Sequence, residues 1–174
     1  MTKARLELKE KINKDAPIEE SDIARLPYLQ AIVKETMRLH PPAPLLVPHK
    51  AECDVDICGF TVPRHAQVLV NAWAISRDPE MWINPTMFFP DRFSGSTIDF
   101  KGRDFEFIPF GAGRRICPGL PLAFRMVHLM LASLLHSFGW ELEDGVKPKD
   151  IDMEEKFGLT LQKAKPLYAI PIEA

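Results

Sequence analysis

Apolar residues recur with a helical period over several stretches of this chain. From Thr2 to Lys14, Ala4, Leu8 and Ile12 fall on one side, and opposite charges stand four apart as Lys3–Glu7, Glu7–Lys11 and Glu10–Lys14. This predicts an amphipathic helix that begins without a cap. Pro17 to Asp22 is a polar break in which Ser21 suits the cap of a short turn. Pro27 fits the first position of a second helix, whose stripe runs Leu29, Ile32, Val33, Thr36 and Met37. His40-Pro41-Pro42 ends it, and Glu35 and Arg38 lie off the stripe.

The pattern then changes. Pro41, Pro42, Pro44 and Pro48 force an extended run. Short strands are predicted at Val55–Ile57, Phe60–Val62 and Gln67–Asn71, with Gly59 turning between the first two. Ala72–Arg77 reads as a short helix stopped by Asp78-Pro79. The stretch up to Phe110 lacks a period but carries Trp82, Phe88, Phe89, Phe93 and Phe100, which predicts a packed coil. Leu120 to Phe138 is apolar over more than half its circumference, with Arg125, His128, Ser133, His136 and Ser137 on the remaining side. It reads as a buried helix rather than a membrane span. Trp140–Glu143, Leu159–Leu161 and Leu167–Ile172 read as closing strands, the last two as a hairpin around Lys163 to Pro166. No repeat or linker interrupts residues 1–174, so they read as one unit, mainly α with small β-sheets (α+β).

Composition narrows the function classes. The chain is 46% hydrophobic and 26% charged, with 22 Lys and Arg against 24 Asp and Glu. That fits a globular soluble class, with no basic surplus for nucleic acid or an anionic membrane surface. Three cysteines do not make a fully paired disulfide framework and suit a reducing compartment. Cys53 and Cys58 read as small buried residues near strands; a zinc site joining them to His40 or His49 has poor spacing. No signal peptide and no membrane segment is visible.

The candidate chemistry lies in Phe110-Gly111-Ala112-Gly113-Arg114-Arg115-Ile116-Cys117-Pro118-Gly119. Glycines there permit a tight loop whose backbone can approach a bound group. Cys117 precedes the apolar helix, at the end where the helix dipole and free amides favour a thiolate, the form that ligates metals. One thiolate on an open face can hold a haem iron. A glycine-rich turn around a structural cysteine is the plainer alternative.

The spacing Phe110-x-x-Gly113-x-Arg115-x-Cys117-x-Gly119 resembles the haem loop of the cytochrome P-450 superfamily of haem-thiolate monooxygenases. Glu35-x-x-Arg38 and the Pro90-x-Arg92-Phe93 element resemble two further motifs of that family. Segments such as Leu26 to Gln30, Arg38 to Leu46 and Glu154 to Leu161 are similar to the plant microsomal group that includes geraniol 8-hydroxylases and ferruginol synthases. The resemblance runs from about Thr2 to the end of the chain and corresponds to the C-terminal third of such a protein.

The resemblance implies haem b (iron protoporphyrin IX) ligated by Cys117, a propionate held by Arg115, and Phe110 shielding the sulfur. Gly113 and Gly119 would give curvature and closeness to the porphyrin. His49 matches a position near a propionate, where a solvated histidine reads equally well. Glu35, Arg38 and Arg92 would form a buried structural triad. Ala43, Leu45, Leu46 and Val47, with Phe157, Gly158 and Leu159, would contact substrate, although ordinary packing has the same apolar character.

The implied reaction inserts one atom of O2 into a hydrophobic, terpenoid-like substrate. Electrons come from NADPH through a flavoprotein reductase, at the cytosolic face of the endoplasmic reticulum for full-length relatives. The family's N-terminal anchor, its arginine-bearing helix and its distal oxygen-activating helix find no counterpart here. The expectation is therefore a truncated chain, cytoplasmic for want of an anchor and not competent on its own. The alternative function is a non-catalytic haem-binding or interaction fragment, since Cys117-Pro118 also fits short haem-sensing elements.

Overall fold

The computed structural model describes residues 1–173. The first helix, α1, spans Thr2–Lys11 and buries Ala4, Leu8 and, just beyond it, Ile12, as its stripe predicts. The expected charge pairs along it do not form. Lys3 reaches Asp91, and the Glu7 carboxylate accepts from the backbone N–H groups of Tyr28 and Leu29 at 2.7 and 2.9 Å. Those amides open the next helix and have no partner within it, so a carboxylate gains more there than in an exposed i,i+4 pair. The 3-10 turn Glu20–Arg25 is capped by Glu19 in exchange with Asp22, not by Ser21.

Helix α2, Pro27–Leu39, starts on Pro27 and buries Leu29, Ala31, Val33, Glu35, Met37, Arg38 and Leu39. Burial extends well around the helix, beyond a single stripe. Thr36, expected inside, is exposed and returns its hydroxyl to the Ile32 carbonyl at 2.8 Å.

Strands β1 (His49–Lys50), β2 (Val55–Ile57), β3 (Phe60–Val62) and β4 (Gln67–Val68) lead to α3, Ala72–Ile75. β1 pairs with β4 and β2 with β3, both antiparallel. Cys53 and Cys58 are exposed, contrary to expectation. The β2–β3 hairpin is an exposed two-stranded ribbon, and among the described residues neither apolar cluster includes any part of it.

Helix α4, Leu120–Ser137, runs into β5, Phe138–Leu142. β6 (Glu155–Lys156), β7 (Gln162–Lys163) and β8 (Ala169–Glu173) complete the described elements. The expected hairpin between the last two segments is absent: β8 pairs with β5, and β6 with β7. Gly139 makes the first pairing possible, because a Cβ there would lie 2.6 Å from Ile172 Cγ1. The class is as expected, helical with small two-stranded sheets.

Two apolar clusters hold these parts together. One joins Ala31, Val33 and Met37 of α2 to Trp82, Phe93, Phe100 and Phe107 of the coil. Ring centroids of Trp82–Phe93 and Phe93–Phe107 lie 5.8 and 5.2 Å apart, so the coil packs as aromatic contacts predict. The other joins Leu8, Ile12, Leu26 and Leu29 to Ala132.

The orientation of α4 corrects the sequence reading. Its buried residues are His128 and Ala132, while Leu122, Met126, Met130 and Leu134 are exposed. The side that carries Arg125 and His128 faces α1, α2 and the turn Glu20–Arg25, with Arg125 Nε 2.9 Å from Glu20 Oε1. By length and composition alone this helix is apolar enough to cross a membrane.

Candidate haem-thiolate site

The loop before α4 is shaped by main-chain conformation. Gly111 and Gly113 take φ of +75° and +67°, in the left-handed region that side chains resist. The turn Gly113–Arg115 follows, and the Cys117 N–H closes the loop on the Phe110 carbonyl at 2.9 Å. The Leu120 N–H bonds back to the Cys117 carbonyl at 3.2 Å, and the cysteine sits two residues before the cap residue Gly119. A Cβ on Gly119 would stand 3.7 Å from Cys117 Sγ, which makes glycine the residue that leaves most room beside the sulfur.

Cys117 is exposed on this loop. Arg115 is also exposed and has no ion-pair partner among the described residues. Space over Gly113 is open, with nothing within 4 Å of a Cβ built there. Phe110 is half-buried, its ring 5.7 Å from Phe100, and so ties the loop to the aromatic cluster. An accessible thiol, an unpaired guanidinium and an unobstructed backbone together fit a flat group that bears both a metal and carboxylates.

Gly102 supports the loop from behind and was not singled out from the sequence. With φ of +75°, it lies where a Cβ would come within 3.0 Å of Ile116 Cδ1 and 3.1 Å of Ala112 Cα. Lys101-Gly102 looks like any turn in sequence; its role depends on the approach of a segment some ten residues on.

The two apolar segments expected to meet substrate are brought together. The Leu161 N–H donates to the Pro42 carbonyl at 2.9 Å, which fixes the β6–β7 hairpin beside the proline-rich run. Leu46, at φ of +50°, places Cδ1 3.8 Å from where a Cβ on Gly111 would stand, so that run lies beside the cysteine loop. Ala43 and Leu45 are half-buried, while Val47, Phe157, Gly158 and Leu159 are exposed, Leu159 at 89%. His49 is exposed on β1 and makes no side-chain hydrogen bond among the described residues.

Glu35, Arg38 and Arg92 meet in one network. Arg38 Nε and Nη2 donate to Glu35 Oε2 and Oε1 at 2.8 and 3.0 Å, and Arg92 Nε reaches Oε1 at 3.1 Å. Glu35 and Arg38 are fully buried, and the Arg92 side chain is 9% exposed. One carboxylate cannot satisfy two guanidiniums, so carbonyl oxygens take the rest. Arg38 bonds those of Ser76, Pro85 and Met87; Arg92 bonds those of Ile83, Asn84 and Met87. The Phe89 N–H adds a 2.7 Å bond to Glu35 Oε1, and Trp82 lies 5.2 Å from the Arg38 guanidinium carbon. The network fastens the coil at residues 83–92 to α2.

Comparison with known proteins gives a consistent picture. The model of the Cytochrome P450 family matches residues 1–169. Cytochrome P450 76T24 of Catharanthus roseus is 62% identical over 173 residues, covering 99% of this chain and 35% of that protein. Geraniol 8-hydroxylase of Swertia mussotii is 61% identical over 170 residues, covering 98% of this chain and 34% of that protein. Among solved structures, a zebra fish cytochrome P450 with abiraterone superposes with a TM-score of 0.85 at 34% identity, over 99% of this chain and 39% of its own. The chain thus spans about a third of the length of the curated relatives it matches.

Proposed function

The chain belongs to the cytochrome P450 family, and from that premise we propose that Cys117 ligates haem b in a monooxygenase that hydroxylates a terpenoid-like substrate. Bound there, haem supplies insertion of one oxygen atom from O2, with electrons that originate in NADPH and arrive through a flavoprotein reductase. The observation that carries this reading is an exposed Cys117 thiol at the head of α4, in a loop curved by Gly111 and Gly113 that also carries Arg115, exposed and without an ion-pair partner among the described residues.

Each residue then has a physical role. Cys117 gives its sulfur to the metal, and Gly119 keeps the space next to that sulfur free. Arg115, and His49 if its ring turns toward the loop, hold propionates by charge-assisted hydrogen bonds. Phe110 braces the loop against the aromatic cluster and restricts water around the thiolate. Gly113 allows close approach of the porphyrin. Ala43, Leu45, Leu46 and Val47, with Phe157, Gly158 and Leu159, offer apolar surface to the substrate. Glu35, Arg38 and Arg92 keep the coil that leads into the loop in place. Full-length relatives would work at the cytosolic face of the endoplasmic reticulum.

A second reading, a haem-binding or interaction unit without turnover, is favoured by the exposed side of α4 at Leu122, Met126 and Met130. One assay separates the two. The protein is supplied with haem, reductase, NADPH and geraniol under 18O2. The first reading predicts a hydroxylated product carrying one labelled oxygen, and haem binding without labelled product would favour the second.

A further inference from the structure

The β6–β7 hairpin carries Phe157, Gly158 and Leu159 between its strands, and its base is held by one carboxylate. Glu155 Oε1 lies 2.6 Å from His40 Nδ1 and 3.5 Å from Arg77 Nη2, and Trp73 Nε1 donates to Oε2 at 3.2 Å. These partners come from two other elements: His40 caps the end of α2, while Trp73 lies on α3 and Arg77 just after it. Arg77 is itself fixed, stacked 4.0 Å from the Trp73 ring centre and bonded to the Leu39 carbonyl. Burial lowers its pKa from the ordinary guanidinium value, and the Glu155 charge acts in the opposite direction.

Among the described residues, Glu155 is the one side chain from Glu155 to Lys163 with a hydrogen bond or ion pair to another element of the fold. Beyond it the hairpin is held to the rest by the Leu161 N–H on the Pro42 carbonyl, and Phe157 and Leu159 are 64% and 89% exposed. The tip therefore takes its position from the anchor at its base. A carboxylate suits this position because it accepts from several donors at once and, among the described residues, is the only charged acceptor facing His40 and Arg77 there.

We propose that Glu155 is a positioning residue for substrate: it locks the β6–β7 hairpin onto the end of α2, and so sets where Phe157 and Leu159 stand and which carbon of a hydrophobic substrate is presented for oxidation. This role rests on the reading that the hairpin tip meets substrate.

The test compares Glu155→Ala, Glu155→Gln and the control Glu154→Gln in the haem-loaded full-length protein, with geraniol as the probe. Glu154 has an exposed side chain with no hydrogen-bond partner among the described residues. Three quantities are read: amide hydrogen exchange over residues 156–162, the absorption of the reduced CO complex, and the ratio of oxidised products together with KM. In Glu155→Ala, exchange rises about tenfold, KM rises about fivefold and the product ratio shifts, while the CO absorption holds its intensity. Glu155→Gln keeps one acceptor oxygen and falls between, and Glu154→Gln matches the parent. An unchanged product ratio and KM, unchanged exchange, or loss of the CO absorption in both Glu155 variants overturns the positioning role. If the parent protein itself neither binds haem nor oxidises geraniol, the functional reading fails and this role with it. A parent that does both, with variants that behave like it, defeats this role alone.

Discussion

A buried carboxylate between two guanidiniums is stable only if every remaining donor is answered. At Glu35 the answer is a ring of main-chain carbonyls from residues 76–87, with Trp82 beside both arginines. Removing Arg92 leaves the Glu35 charge short of a partner and frees the carbonyls of Ile83 and Asn84. Arg92→Ala is expected to cost on the order of 3–5 kcal/mol of unfolding free energy in denaturant titration. A cost under about 1 kcal/mol, the range of an exposed pair, would contradict the network. The three charged residues were legible in the sequence because their motifs are local. The carbonyl ring was not, since any residue type can supply it. Cys53 and Cys58 were misread for a related reason: hydrophobic character predicts burial only where a core exists, and among the described residues the β2–β3 ribbon joins neither apolar cluster.

At the level of elements, helix existence was read well and helix orientation was not. The periodicity of α4 located an apolar side, but the side turned toward α1 and α2 is the one with His128 and Arg125. His128 is fully buried, its Nδ1 2.6 Å from the Phe124 carbonyl and its Nε2 without a partner among the described residues. Donation from Nδ1 leaves Nε2 as the site that protonation would fill, in an apolar surround. Burial chiefly lowers the His128 pKa below its ordinary 6.5, with the Phe124 carbonyl opposing and Lys34 reinforcing the shift.

The unfolded chain then binds this proton more readily than the folded one, so His128 lowers stability as pH falls below about 6.5. Unfolding free energy compared between the parent and His128→Phe from pH 5 to 7 should show the parent gaining on the variant as pH rises. A constant gap would show that His128 does not titrate in this window. The strand pairing was misread because a local hairpin is the default for adjacent strands. The partner of β8 is instead β5, far back in the chain, where Gly139 admits Ile172.

For the whole molecule, the cysteine loop, the proline-rich run and the β6–β7 hairpin lie next to one another, through the approach of Leu46 to Gly111 and the Leu161–Pro42 hydrogen bond. Motif spacing revealed the loop, while the joining of the three depended on folding at Pro41 and Pro44, both fully buried. The exposed apolar side of α4 lies on a chain that spans about a third of its relatives' length. The central claim is that Cys117 supplies the iron thiolate. Its most direct test is the absorption of the reduced, CO-bound haem in full-length protein, parent against Cys117→Ala. The parent should show the red-shifted band of a thiolate-ligated iron, and the variant should lose it entirely. Persistence of that band in Cys117→Ala would move the ligand to Cys53, Cys58 or a cysteine outside these residues, and contradict the assignment.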